Sequence, residues 1–159
     1  MKIGLSSLQP LGRALMLPIA VLPVAGLLLR LGQPDLMDIA FISAAGQAIF
    51  ANLGLLFAVG VAVGLAKDNN GAAGLAGVVC FLISVEASKV LLSVPPEAVA
   101  GLTGDAVDAA SKVFKDQALS RLGVPIGIVA GLIAGACYNR FSTFKLPDYL
   151  GFFAGRRFV

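Results

Sequence analysis

Four long apolar runs, separated by short polar breaks, organise this chain. They cover residues 14–31, 39–66, 71–92 and 122–139. None alternates apolar and polar positions as a half-buried strand does. Each is close to or above the ~20 residues that a helix needs to cross hydrocarbon. The second run carries no charge, the first is interrupted only by Arg30, and the third holds Glu86 and Lys89 near its far end. The pattern predicts an all-α integral membrane fold with four transmembrane helices. Composition points the same way: of 159 residues, 58% are hydrophobic and 13% charged, with mean hydropathy +0.91. A soluble domain of ~150 residues buries only ~70% of its surface and could not hide this much apolar sequence. The same hydrophobicity excludes a disordered chain.

The breaks predict the connections. Lys67-Asp68-Asn69-Asn70-Gly71 reads as a tight hairpin whose Asn-Asn-Gly suits left-handed backbone positions. Pro95-Pro96 ends the third helix. Between Pro95 and Arg121, Thr103 is a candidate cap for a short helix with one apolar stripe, Val107, Ala110, Phe114 and Ala118, expected on the outer membrane surface. Pro125 falls in the first turn of the fourth run, where a missing N–H does no harm. Pro18 and Pro23 lie inside the first run and predict a kinked or tilted helix. Residues 140–159 mix Phe141, Phe144, Tyr149, Phe152, Phe153 and Phe158 with Arg140, Lys145, Arg156 and Arg157, and Tyr138 just precedes them. Amphipathic rings and cations together favour the headgroup layer, so this segment is expected along the cytoplasmic interface.

Orientation follows from the basic residues. With the N-terminus in the cytoplasm, seven lie inside (Lys2, Arg13, Lys67, Arg140, Lys145, Arg156, Arg157) and five outside (Arg30, Lys89, Lys112, Lys115, Arg121). The opening MKIGLSSLQPLGR has no cleavage site and polar mature domain after its apolar run, so that run reads as a retained span.

Helix contacts are also legible. Gly123, Gly127, Gly131 and Gly135 form a ridge without side chains on the fourth span, and Gly54, Ala58, Ala62 and Ala66 form a comparable row on the second. Lipid accommodates Leu as well as a neighbouring helix does, so small-residue ridges indicate helix–helix packing.

Candidate chemistry is sparse. The net charge of +3 is too small and scattered for nucleic-acid binding. The absence of His removes a histidine base, metal ligand or phosphohistidine. Cys80 and Cys137 have no metal or redox spacing and read as small buried hydrophobes. Gln47 and Asn52, inside the second run, either hydrogen-bond between helices or line a solute path. Glu86 and Lys89 share one helical face near the outer boundary, where a structural pair is the simpler reading of two intramembrane charges. No nucleophile–base pair, phosphate loop or metal set is visible. The sequence therefore assigns no catalytic, cofactor-binding or metal-ligating residue and leaves substrate-binding residues unknown.

Three stretches carry a family resemblance: LGRALMLPIAVLPVAGLLLRLGQPDL from Leu11, AFISAAGQAIFANLGLLFAVGVAVGLAKDNNGAAGLAG from Ala40, and ACYNRFSTFKLPDYLGFFAGRRFV from Ala136. They resemble enzyme IIC, the membrane component of the glucose superfamily of the phosphotransferase system. RLGQPDL and KLPDYLGFFAGRRFV are most similar to its N-acetylglucosamine-specific permeases. The resemblance implies the N-terminal scaffold half of a IIC domain in the bacterial inner membrane. Its implied partners are the C-terminal half of that domain, IIB and IIA phosphocarriers, a second copy in a homodimer, and an amino sugar or hexose. It implies phosphoenolpyruvate-dependent sugar uptake with no activity from this stretch alone. The chain stops where the family would enter another span, so residues 1–159 are expected to be an incomplete domain. The alternative is a free-standing four-helix membrane protein with an accessory role.

Overall fold

The computed structural model describes residues 9–99, 101, 104–144, 147 and 155. Among them every regular element is a helix: α1 (Gln9–Leu31), α2 (Ala40–Ala51), α3 (Leu53–Leu65), α4 (Gly71–Leu91), a 3-10 turn (Pro96–Val99) and α5 (Asp105–Phe141). Helices α1, α4 and α5 are each long and apolar enough to cross a membrane, and α2 and α3 together form one broken candidate span. The all-α fold with up to four spans is thus present, with two departures from expectation.

The first departure lies within the second run, which is two helices bent by 56° rather than one. The cause is local. Asn52 Nδ2 donates to the Ala48 carbonyl at 2.8 Å, which a continuing helix would offer to the Asn52 N–H. The displaced N–H bonds Ile49 O instead, at 3.2 Å. A side chain competing for the i−4 carbonyl interrupts the ladder, and Asn52 settles at φ −108°, ψ 19°.

The second departure is α5. The expected short surface helix is not separate: its stripe residues belong to the first half of a 37-residue helix that continues through the fourth span. At 1.5 Å per residue α5 is about 55 Å long, well beyond the ~30 Å hydrocarbon core. Nothing between Asp105 and Arg121 breaks a helix, and Asp105 and Asp108 suit the positive end of its dipole. Pro125 consequently sits in the helix interior rather than the first turn. The carbonyl it leaves without a donor is that of the exposed Arg121, where water can take its place. The expected cap, Thr103, lies outside the described residues, and Gly104 (φ 61°) precedes the helix.

Helix α3 is the centre. It packs on α1, α4 and α5, and Phe57, Ala58, Val61 and Ala62 are buried there. The glycine ridge of α5 lies along it. A Cβ on Gly127 would strike the Gly54 carbonyl, one on Gly131 would come within 2.7 Å of Ala58 O, and one on Gly135 within 2.9 Å of Leu65 Cβ. On the other side of α3, Gly64 meets Ala14 and Gly60 meets Pro18 of α1. Backbones approach this closely only where both faces lack bulk. The Gly and Ala rows are therefore used inside the chain and are not free to pair with a second copy. Large apolar side chains instead line the outside, among them Met16, Leu17 and Leu27 of α1 and Leu75, Leu82, Ile83 and Val90 of α4.

In the hairpin between α3 and α4, Asn69 takes the left-handed conformation (φ 49°) and Asn70 Oδ1 caps α4 by accepting from Ala72 N at 2.9 Å. Gly71 is already the first residue of the helix. Most of the expected interfacial segment 140–159 lies outside the described residues. Tyr138 is a correction to that group: it is 1% exposed and packs inside the bundle rather than on its surface.

Candidate functional site

The polar groups of the described residues collect at three places along the bundle. One is the break between α2 and α3, beside the C-terminal half of α4 and the N-terminal half of α5. There, a cavity of about 250 Å³ is lined by Phe50, Asn52, Phe81, Lys89, Asp116 and Ser120 among others. Lys89 Nζ lies 2.8 Å from Glu86 Oε1 and 3.0 Å from Asp116 Oδ1. The i,i+3 pair read from the sequence is made, and Asp116 is a third member that sequence reasoning missed. Its signal was hidden because α5 was expected to start near Leu122, which left Asp116 with no register against α4. The lysine side chain is 29% exposed, so the group is a partly solvated strap between α4 and α5 rather than a buried charge.

Asn52 was expected to bond another helix or to line a solute path. Its amide N instead serves its own helix, and the residue faces the cavity. Gln47 is exposed on α2. Ser120 Oγ donates to Gln117 O at 2.8 Å.

The second place is the hairpin end. Tyr138 Oη donates to Asp68 Oδ2 at 3.0 Å. The next residue, Asn139, accepts from Lys67 N at 2.9 Å and donates to Leu65 O at 2.8 Å. Two consecutive side chains of α5 thereby fasten the C-terminal end of α3 and the loop after it. Leu65 O is one of the last carbonyls of α3, which have no intrahelical partner, so Asn139 acts as its cap.

At the third, near the far end of α1, Arg30 makes a bidentate pair with Asp35 at 2.7 and 2.8 Å. These hydrogen bonds hold the Asp35 carboxyl below the ordinary carboxylate range. Cys80 and Cys137 are free and half-buried, and both line an apolar groove between α4 and α5 together with Leu75, Val79 and Ile133. Among the described residues no three His, Cys, Asp or Glu side chains lie close enough to hold a metal ion. The arrangement can clamp helices and admit water at the break.

Comparison with known proteins adds what the geometry does not carry. The family profile described as "Phosphotransferase system, EIIC" matches residues 12–159. The chain is 50% identical over 151 residues to the PTS system N-acetylglucosamine-specific EIICBA component of Escherichia coli (strain K12), covering 95% of this chain and 19% of that protein. It is 46% identical over 155 residues to the N-acetylglucosamine-specific EIICB component of Bacillus subtilis (strain 168), covering 98% and 29%. To the glucosamine-specific EIICBA component of the same organism it is 47% identical over 156 residues, covering 96% and 22%. The chain thus spans less than a third of the length of these relatives.

Proposed function

Because this chain belongs to the phosphotransferase system EIIC family, we propose that it forms the N-terminal scaffold of a sugar-specific permease. That permease takes up N-acetylglucosamine, or a related hexose, with phosphorylation driven by phosphoenolpyruvate. The observation that carries this reading is the 50% identity over 95% of the chain to an N-acetylglucosamine-specific component. The names of the relatives speak for a transport component rather than a free-standing accessory protein.

The physical features fit a scaffold. Close glycine seams make α3 and α5 a stiff core, and Tyr138, Asn139, Lys89 and Asp116 hold helices and the α3–α4 hairpin together. In this reading residues 1–159 are part of one IIC domain, and the sugar site and the phosphorylated residues lie in other parts of the permease. The chain sits in the bacterial inner membrane with its N-terminus in the cytoplasm, as the basic residues favour. Its partners are the rest of the IIC domain, IIB and IIA phosphocarriers, and a second copy in a homodimer. The large apolar side chains on the outside of α1 and α4 supply the surfaces for lipid and for these membrane partners.

Co-expression with the C-terminal remainder of the E. coli component, in cells lacking their own, tests the proposal. Recovery of phosphoenolpyruvate-dependent N-acetylglucosamine uptake, with co-purification of the two parts, is the expected result. Absence of both overturns it.

A further inference from the structure

Helix α1 changes partners along its length. Its first half lies against α3, where Ala14 meets Gly64 and Pro18 meets Gly60. Its second half lies against α2, where Ala25 and Leu29 meet Gly46, and the turn that follows puts Gly32 against Ser43. The change falls between Pro18 and Ala25, the stretch that holds Pro23. Pro23 has no N–H, so the Ile19 carbonyl has no intrahelical donor and the helix is locally weakened. Among the described residues, helix α2 in turn packs extensively only on α1. It joins α3 through Asn52, where the ladder is already interrupted by the side-chain bond to Ala48 O.

Both covalent links between the α1–α2 tip and the rest of the bundle therefore pass through a weakened backbone point. The tip itself is tied together by the Gly46 and Gly32 contacts, by the bidentate Arg30–Asp35 pair, and by the Gln33 carbonyl, which accepts from the Leu36 and Asp38 N–H groups. The cavity lined by Phe50, Asn52 and Phe81 leaves room on the bundle side of the α2–α3 junction. The bundle side is anchored independently, by the glycine seam between α3 and α5 and by Lys89 and Asp116 across α4 and α5. Hinges are a few element-terminal positions that absorb backbone rotation between two bodies that each stay rigid. We propose that residues 24–51 are a helical hairpin that swings as one unit on the α3–α4–α5 bundle about paired hinges at Pro23 and Asn52.

The test is pulsed electron resonance between spin labels in lipid nanodiscs, with Cys80 and Cys137 replaced by Ala. One pair joins the hairpin to the bundle, at the exposed Phe41 and Val129, and a reference pair lies within the bundle, at Leu75 and Leu122. The hairpin–bundle distance distribution is expected to be about twice as wide as the reference, as for two bodies joined by hinges. Pro23→Ala restores the missing donor and Asn52→Leu removes the competing one, so each narrows the hairpin–bundle distribution and leaves the reference unchanged. Pro23 is exposed, so that variant carries the test if Asn52→Leu does not fold. A hairpin–bundle distribution as narrow as the reference in the unaltered chain, or a width that the foldable variants do not change, overturns the proposal.

Discussion

Gly127 and Gly123 occupy the same ridge of α5, one turn apart, yet replacing each with Ala has opposite consequences. A Cβ on Gly127 would strike the Gly54 carbonyl oxygen and lie 2.8 Å from its carbon and 3.1 Å from its Cα. All three are backbone atoms, so no side chain can swing aside. Helix α5 must retreat from α3 by more than about 1 Å to restore ordinary contact, and a gap of that size forfeits about half or more of each dispersion contact along the seam. The contacts opened include Gly131 with Ala58 and Val61, and Gly135 with Ala62 and Leu65. Overpacking of this kind costs about 1–3 kcal/mol, against a gain of up to ~1 kcal/mol from the better helix propensity of Ala. The net loss is about 1 kcal/mol, and ~2 kcal/mol at most. A Cβ on Gly123 meets only Gly54 Cα, at 4.0 Å, and so keeps the propensity gain. Thermal unfolding in mild detergent, followed by circular dichroism, should separate the two variants by roughly 4–8 °C, with Gly127→Ala the lower. Equal melting temperatures, or Gly127→Ala at or above the unaltered chain, refute the assigned register of α3 on α5.

Tyr138→Phe removes the bond to Asp68 while keeping the ring, and is expected to cost about 1 kcal/mol; Tyr138→Ala should cost about 3–5 kcal/mol by opening a cavity. Both are read from melting in detergent. Asp116→Asn removes the charge that ties Lys89 to α5, and should lower the melting temperature at low salt more than at high salt, since the pair is partly solvated. The Arg30–Asp35 pair has a signed pH dependence. The Asp35 carboxyl lies below its ordinary value of 3.8 in the fold, so its stabilising contribution is complete above that pH and is lost as pH falls through the lowered value. Acid titration of melting temperature should show this loss in the unaltered chain and not in Asp35→Asn.

Much of the fold was legible because its determinants are local or periodic. Apolar run length located the spans, and the four-residue spacing of glycines located the face of α5 that meets α3. The hairpin turn was readable from Lys67 to Gly71, although only Asn69 takes the left-handed backbone. What escaped was settled by competition or by tertiary register. Asn52 could equally have reached a neighbouring helix, and only its bond to Ala48 O shows why the second span breaks. Pro125 resembled a first-turn proline because the residues before it are polar, but polarity there marks emergence from the hydrocarbon and not the start of a helix. With that start misplaced, Asp116 could not be set against Lys89. Tyr138 followed the same logic in reverse. It adjoins an aromatic and basic stretch, yet it points into the bundle, where Asp68 of the hairpin receives its hydroxyl. The family was readable from whole stretches of sequence, whereas none of the described side chains marks a sugar.

The membrane crossing by the broken α2–α3 pair is the point on which the scaffold rests, and impermeant thiol labelling in intact cells addresses it directly. Single cysteines at Asp35, in the turn after α1, and at Asn69, in the turn after α3, are placed in a background with Cys80 and Cys137 replaced by Ala. A crossing with the N-terminus inside predicts labelling at position 35 from outside and at position 69 only after the membrane is opened. Labelling of both positions from the same side would make α2 and α3 a re-entrant loop and contradict the account.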